Sequence, residues 1–188
     1  MLILYALLLL MLLFVVVPFL RWVFTRVEGM LSIKRLCKQN KFILHQRSKL
    51  WFWGMRNSAQ CDCAIETPDA VYVIKLFGVA QRHATLVLLD EAKYLGCRMF
   101  AMLLHVRFSF DATPVPFPAY DFHTLYQQSS RKKECRKVLL VHPKPLNIVL
   151  RNREQQDRPF RNGDCFCGME IMTLRDLLEL LAVPTQGA

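Results

Sequence analysis

The sequence predicts an α+β protein in which an N-terminal transmembrane helix precedes a single small mixed domain with several short β-strands and a C-terminal helix. Three observations predict it. The first twenty residues carry no charge. A succession of short branched and aromatic runs comes next, separated by turn-forming residues. Near the end, Thr173-Leu174-Arg175-Asp176 opens a leucine-rich helical stretch. The expected divisions are 1–20 for the span, 21–40 for a basic juxtamembrane helical connector and 41–188 for a cytoplasmic α+β domain. The last of these is near the commonest size for an independently folding unit.

Met1 to Leu20 holds nine leucines, one isoleucine, three valines and two phenylalanines. Twenty helical residues at ~1.5 Å each cover ~30 Å, the thickness of a hydrocarbon core. Each strongly apolar residue contributes roughly −0.3 to −0.6 kcal/mol to insertion at mid-helix. Pro18 sits near the end, where a missing backbone donor matters least. A cleaved signal peptide fits less well. The start has no basic residue, and Pro18-Phe19-Leu20-Arg21-Trp22 offers no small-x-small cleavage site.

The net charge of +10 is unevenly spread. Residues 21–60 carry nine cations (Arg21, Arg26, Lys34, Arg35, Lys38, Lys41, Arg47, Lys49 and Arg56) against Glu28 alone. Cations following an apolar span put the amino terminus outside and the bulk of the chain in the cytoplasm. Trp22 suits the interfacial belt. A basic balance of this origin points to anionic lipid before nucleic acid. Residues 21–40 lack proline and are predicted to continue as helix, with Gly29 as the weak position.

Lys41 to Leu44, Leu50 to Trp53, Thr85 to Leu89, Val138 to His142 and Leu146 to Leu150 read as strands. Cys61 to Ile65 and Val71 to Phe77 flank Pro68-Asp69, a pair suited to a type I turn, and so form a hairpin. Lys93 to Val106 is ambiguous between helix and strand. Pro114-Val115-Pro116-Phe117-Pro118 is an extended loop. Asn162-Gly163-Asp164 is a turn before a strand beginning at Cys165. Thr173 and Asp176 form a capping-box variant, and the helix they open stops before Pro184. No alternation of strands with long helices is visible, which favours α+β over α/β.

Seven cysteines is an odd number, so at least one stays unpaired within the chain. Their apolar surroundings, and the lack of any Asn-x-Ser/Thr sequence, fit reduced thiols in the cytosol. Cys61-Asp62-Cys63 and Cys165-Phe166-Cys167 are C-x-C pairs. In a strand each pair points to one side, so the four sulfurs meet around a tetrahedral zinc if the strands are neighbours. The competing reading is two pairs of core thiols, because zinc knuckles ordinarily use C-x₂₋₄-C and cysteine is often buried without a ligand role.

Asp62, followed by Val71-Tyr72-Val73-Ile74-Lys75, resembles the core of the PD-(D/E)xK nucleases. These carry an Asp, then a strand with an acidic residue two positions before a Lys. The resemblance implies a divalent metal held by the two acids, with Lys75 positioning the attacking water. It spans about fifteen residues and departs from the pattern at Val73, where the second acid is missing. Glu66 is the substitute available. The alternative is an ordinary hairpin whose Lys75 reaches solvent along its stem.

Arg131-Lys132-Lys133-Glu134-Cys135-Arg136-Lys137 is a compact basic patch. Trp51, Phe52 and Trp53 form an aromatic group between Lys49 and Arg56. His45, His83, His105, His123 and His142 show no metal-ligand spacing, and there is no GxSxG, P-loop or GxGxxG. The sequence thus leads to a membrane-anchored, non-catalytic domain that binds anionic lipid or a membrane-associated protein. Arg21, Arg26, Lys34, Arg35, Lys38, Arg131, Lys132, Lys133, Arg136 and Lys137 are its expected lipid- or partner-facing residues. No cofactor is expected.

Overall fold

A computed structural model of the chain describes residues 5, 9–10, 12, 17–46, 60–77, 85–90, 93–95, 115–117, 119–129 and 133–182. Most of the predicted span, the Leu50 to Trp53 run and most of Lys93 to Val106 lie outside them. Among the described residues no helix is long and apolar enough to cross a membrane.

Helix α1 (Val17–Gln39) is followed by β1 (Ile43–Gln46), β2 (Cys63–Glu66) and β3 (Ala70–Phe77). Then come β4 (Thr85–Leu89), β5 (Lys93–Leu95), β6 (Val115–Pro116), the short α2 (His123–Gln127) and β7 (Glu134–Val141). The chain closes with β8 (Asn147–Arg151), β9 (Asp157–Pro159), β10 (Cys165–Phe166), β11 (Met169–Thr173) and α3 (Leu174–Ala182). Two sheets result, of order β1-β2-β3-β7-β11-β10 and β6-β5-β4-β8-β9. The fold is mixed α+β.

The first three strands form an antiparallel meander, of which β2 and β3 are the hairpin that the sequence predicts. At its tip the Thr67 hydroxyl donates to Ala70 O at 2.9 Å and accepts from Ala70 N at 3.1 Å, leaving Pro68 and Asp69 exposed. The remaining strand pairing departs from a simple meander. β7 runs parallel to both β3 and β11, and β4 runs parallel to β8. The connection from β3 to β7 passes through the second sheet, and the helix among its described residues is the five-residue α2. Parallel strands buried on both faces read as continuous apolar runs, and β3 is buried along its whole length.

One face of the larger sheet packs on α1 and α3. Ile65, Ile74, Val138 and Leu140 meet Met30, Ile33, Leu36 and Leu177 in one cluster. The folded core therefore reaches back into residues 21–40, where a connector is expected. Burying each such aliphatic side chain contributes ~1.5–3 kcal/mol, so this docking holds α1 firmly. Lys41 ends α1 in a left-handed conformation (φ 58°), and Phe42 N donates to Cys37 O at 2.9 Å, a Schellman closure. The opposite face is shared between α2 and the second sheet, where Phe77, Leu139, Val141 and Ile171 pack on Leu86, Leu88 and Ile148.

The α3 start matches its prediction. Thr173 N donates to Asp176 Oδ2 at 3.0 Å, and Asp176 N donates back to Thr173 Oγ1 at 3.3 Å. Gly29, the expected weak position in α1, is where the helix backbone passes the His142 ring. A Cβ there would lie 2.9 Å from His142 Cδ2. Together with the register that sets Ile43, just after α1, in line with Glu66, Val71 and Cys135, this contact fixes direction: α1 enters at the carboxyl end of β7 and leaves toward its amino end.

Candidate functional site

Asp62 occupies a bend just before β2, and Lys75 lies opposite it on β3. The meander brings their side chains to 3.6 Å, Lys75 Nζ to Asp62 Oδ2. The pair is enclosed, with Asp62 8% and Lys75 2% exposed. Lys75 Nζ donates to Gln60 O at 2.7 Å and sits 4.8 Å from the Tyr120 ring centroid. Asp62 Oδ2 accepts from Leu76 N at 2.8 Å. The alternative of a Lys75 reaching solvent does not hold. Its charge is compensated inside the fold by a carboxylate, a carbonyl and an aromatic face.

Glu66 does not join this pair. It lies four residues further along β2, about 13 Å away at ~3.3 Å per residue. There it accepts from Lys133 Nζ at 2.9 Å, with His45 Nε2 3.2 Å from its other oxygen. Lys133 also donates to Thr67 O at 2.8 Å. Val73, at the position of the missing acid, packs with Ala64, Val71 and Leu125. Of the three residues singled out by the nuclease resemblance, the structure brings two together.

The two C-x-C pairs lie apart as well. β2 and β10 are separated in the larger sheet by β3, β7 and β11. At ~4.8 Å per strand that is ~19 Å, far beyond the ~2.3 Å zinc–sulfur bonds a shared ion needs. The bend at Asp62 also defeats strand alternation: Cys63 faces the α1 side while Cys61 faces α2. Burial pushes the Cys61 thiol up to about 12, with Lys75 partly opposing and Asp62 adding to the rise. Cys63 is raised well above the usual thiol range by burial first, then by Asp62. Cys165 and Cys167 are exposed at the β10–β11 turn, where Cys167 (φ 50°) and Gly168 (φ 72°) are both left-handed. No three His, Cys, Asp or Glu among the described residues are placed to hold a metal ion.

The cations divide between the two ends of the molecule. Arg21 and Arg26 belong to the first half of α1, and Lys34, Arg35 and Lys38 are exposed on its second half. Lys133 precedes β7 at the end remote from His142. Arg131, Lys132 and the aromatic group Trp51 to Trp53 lie outside the described residues. Alternation along β7 splits the rest of the patch. Arg136 lies 5.8 Å from the Tyr72 ring on one face, and Lys137 lies 5.4 Å from the Phe122 ring on the other. A hydrogen bond to Glu134 at 3.2 Å raises the Arg136 guanidinium further.

Gln60, Tyr120 and the Lys133–Glu66–His45 cluster carry no signature in the sequence that marks them as groups. Gln60 meets the Tyr120–Asp121 segment through an isolated bridge between Gln60 and Asp121, a tertiary contact with no spacing to betray it. Comparison with known proteins supplies no relative: no family model, no curated protein and no solved structure matches the chain.

Proposed function

We propose that the chain is a single-pass membrane protein, amino terminus outside, whose cytoplasmic α+β domain binds a protein partner or anionic lipid without catalysis. The observation that supports this reading is the continuity of α1. It begins at Val17, inside the apolar opening stretch, and its later turns bury Met30, Ile33, Leu36 and Cys37 in the core. One helix thus belongs to both the oily segment and the domain, so the domain is held close to the bilayer rather than hung on a flexible linker. Confinement of this kind raises effective concentration toward other membrane components. The remote end of the sheet, with Lys133, Arg136 and Lys137, is then offered away from the bilayer, where a partner protein reaches it. Topology is tested by reporter fusions at the carboxyl terminus. A fluorescent cytosolic reporter and a silent periplasm-type phosphatase are expected; an active phosphatase overturns the orientation.

A second reading, a degenerate nuclease-like domain, draws on the contact between Asp62 and Lys75. The full chain in detergent, given magnesium or manganese and either single- or double-stranded DNA, decides it. Cleavage that disappears in an Asp62→Asn, Lys75→Met double variant supports it, and intact DNA with the native chain removes it.

A further inference from the structure

We propose that the loop 142–146 is a second membrane contact, with Leu146 entering the headgroup layer and Lys144 pairing with anionic headgroups beside it. The proposal rests on the tethered reading and adds which end of the domain meets the bilayer. His142 packs against Gly29, so the carboxyl end of β7 faces the part of α1 that leads back to the apolar stretch. The chain preceding Val17, on the far side of that helix, is the Leu-rich segment 1–16. Leu20 to Gly29 is nine residues, an axial rise of ~14 Å. The headgroup layer occupies ~5–7 Å of that distance on each side of the hydrocarbon. A typical helix tilt of ~20° and the reach of the loop itself narrow the remaining gap.

The loop is built for such a contact. Pro143 and Pro145 are buried, while Lys144 is exposed and Leu146 is 63% exposed, in contrast to the buried Leu139 and Leu140 of β7 and the half-buried Leu150 of β8. A leucine left open on a proline-braced loop, next to a cation, matches an interface with an apolar interior and an anionic rim. The neighbouring acid does not oppose it. Asp176, whose carboxylate feels the Lys144 charge, is already engaged by Thr173 N and by the Thr173 hydroxyl at 2.6 Å.

The test uses the full chain in phosphatidylcholine vesicles with and without phosphatidylserine. A photo-reactive p-benzoyl-phenylalanine replaces Leu146, or Asp69 at the exposed β2–β3 tip on the opposite end, or Leu10 in the apolar segment. The expected result is lipid adduct at position 146 at least tenfold above position 69, increased by phosphatidylserine and lowered again by Lys144→Glu. Adduct at position 10 with no excess at 146 over 69 overturns the loop contact and leaves the tether standing. No adduct at position 10 overturns the tether and this inference with it. A phosphatidylserine effect that survives Lys144→Glu removes Lys144 from the contact.

Discussion

Lys75 and Asp62 form an ion pair, 3.6 Å from nitrogen to oxygen, in which neither side chain keeps more than 7% of its surface in water. Desolvating two charges costs several kcal/mol, and their attraction offsets this only because Gln60 O and Leu76 N complete the hydrogen bonding. Such a pair is costly to halve. Asp62→Asn strands a buried ammonium and Lys75→Met a buried carboxylate, so each is expected to lose ~3–5 kcal/mol. The double variant Asp62→Asn, Lys75→Met is expected to recover much of that loss. Thermal melts of all the variants in detergent measure the coupling, and additive losses would show that the two charges do not depend on each other.

Gly29 is expected to resist improvement. In an open helix Gly→Ala gains ~1 kcal/mol. Here the new methyl meets the His142 ring at 2.9 Å, so Gly29→Ala is expected to give little or no gain and Gly29→Val to lose ~1–3 kcal/mol. Pairing either change with His142→Ala relieves the clash. A full gain from Gly29→Ala alone would mean that α1 does not pass β7 as described.

The α3 cap makes stability depend on acid. Burial raises the Asp176 carboxyl, but hydrogen bonds from Thr173, with help from Asn162 and Lys144, outweigh it and hold it below the usual carboxylate range. A carboxyl depressed in the folded state stabilises above its unfolded pKa and loses that contribution as the pH falls through its folded value. Asp176→Asn is therefore expected to cost ~0.5–2 kcal/mol near neutrality, the usual worth of a cap. The difference from the native chain should shrink as the pH falls through about 4, the ordinary Asp value, toward the lower folded value. A difference that stays constant from neutrality into strong acid would contradict the assignment.

The thiols are expected to alkylate in a fixed order. Cys165 is exposed, whereas burial pushes Cys37 to about 11 and Cys61 to about 12, and Cys63 is fully covered. Only thiolates react appreciably, so iodoacetamide at about pH 8 should modify Cys165 well before these three. Peptide mapping reads the order. Early modification of Cys61 would contradict the packing around Asp62.

Local chemistry was legible in the sequence. The Pro68-Asp69 hairpin, the Thr173–Asp176 cap and the helical course of residues 21–39 come from side chains a few positions apart, where turn and cap preferences act. Long-range pairing was not. That β3 lies beside β7 depends on residues roughly sixty positions apart, and nothing in either strand specifies its partner. The site divides in the same way. Asp62 and Lys75 were legible because one hairpin carries both. Tyr120 and Gln60 reach Lys75 only through tertiary packing, and Glu66 is drawn to Lys133, a partner distant in the chain. The bend at Asp62 that sends Cys61 and Cys63 to opposite faces breaks the alternation on which a shared metal site depends.

Alkaline carbonate extraction of membranes holding the full chain tests the tethered reading most directly. The chain is expected to stay in the membrane pellet, and removal of residues 1–16 is expected to release it to the supernatant. Release of the intact chain by carbonate would contradict the tether.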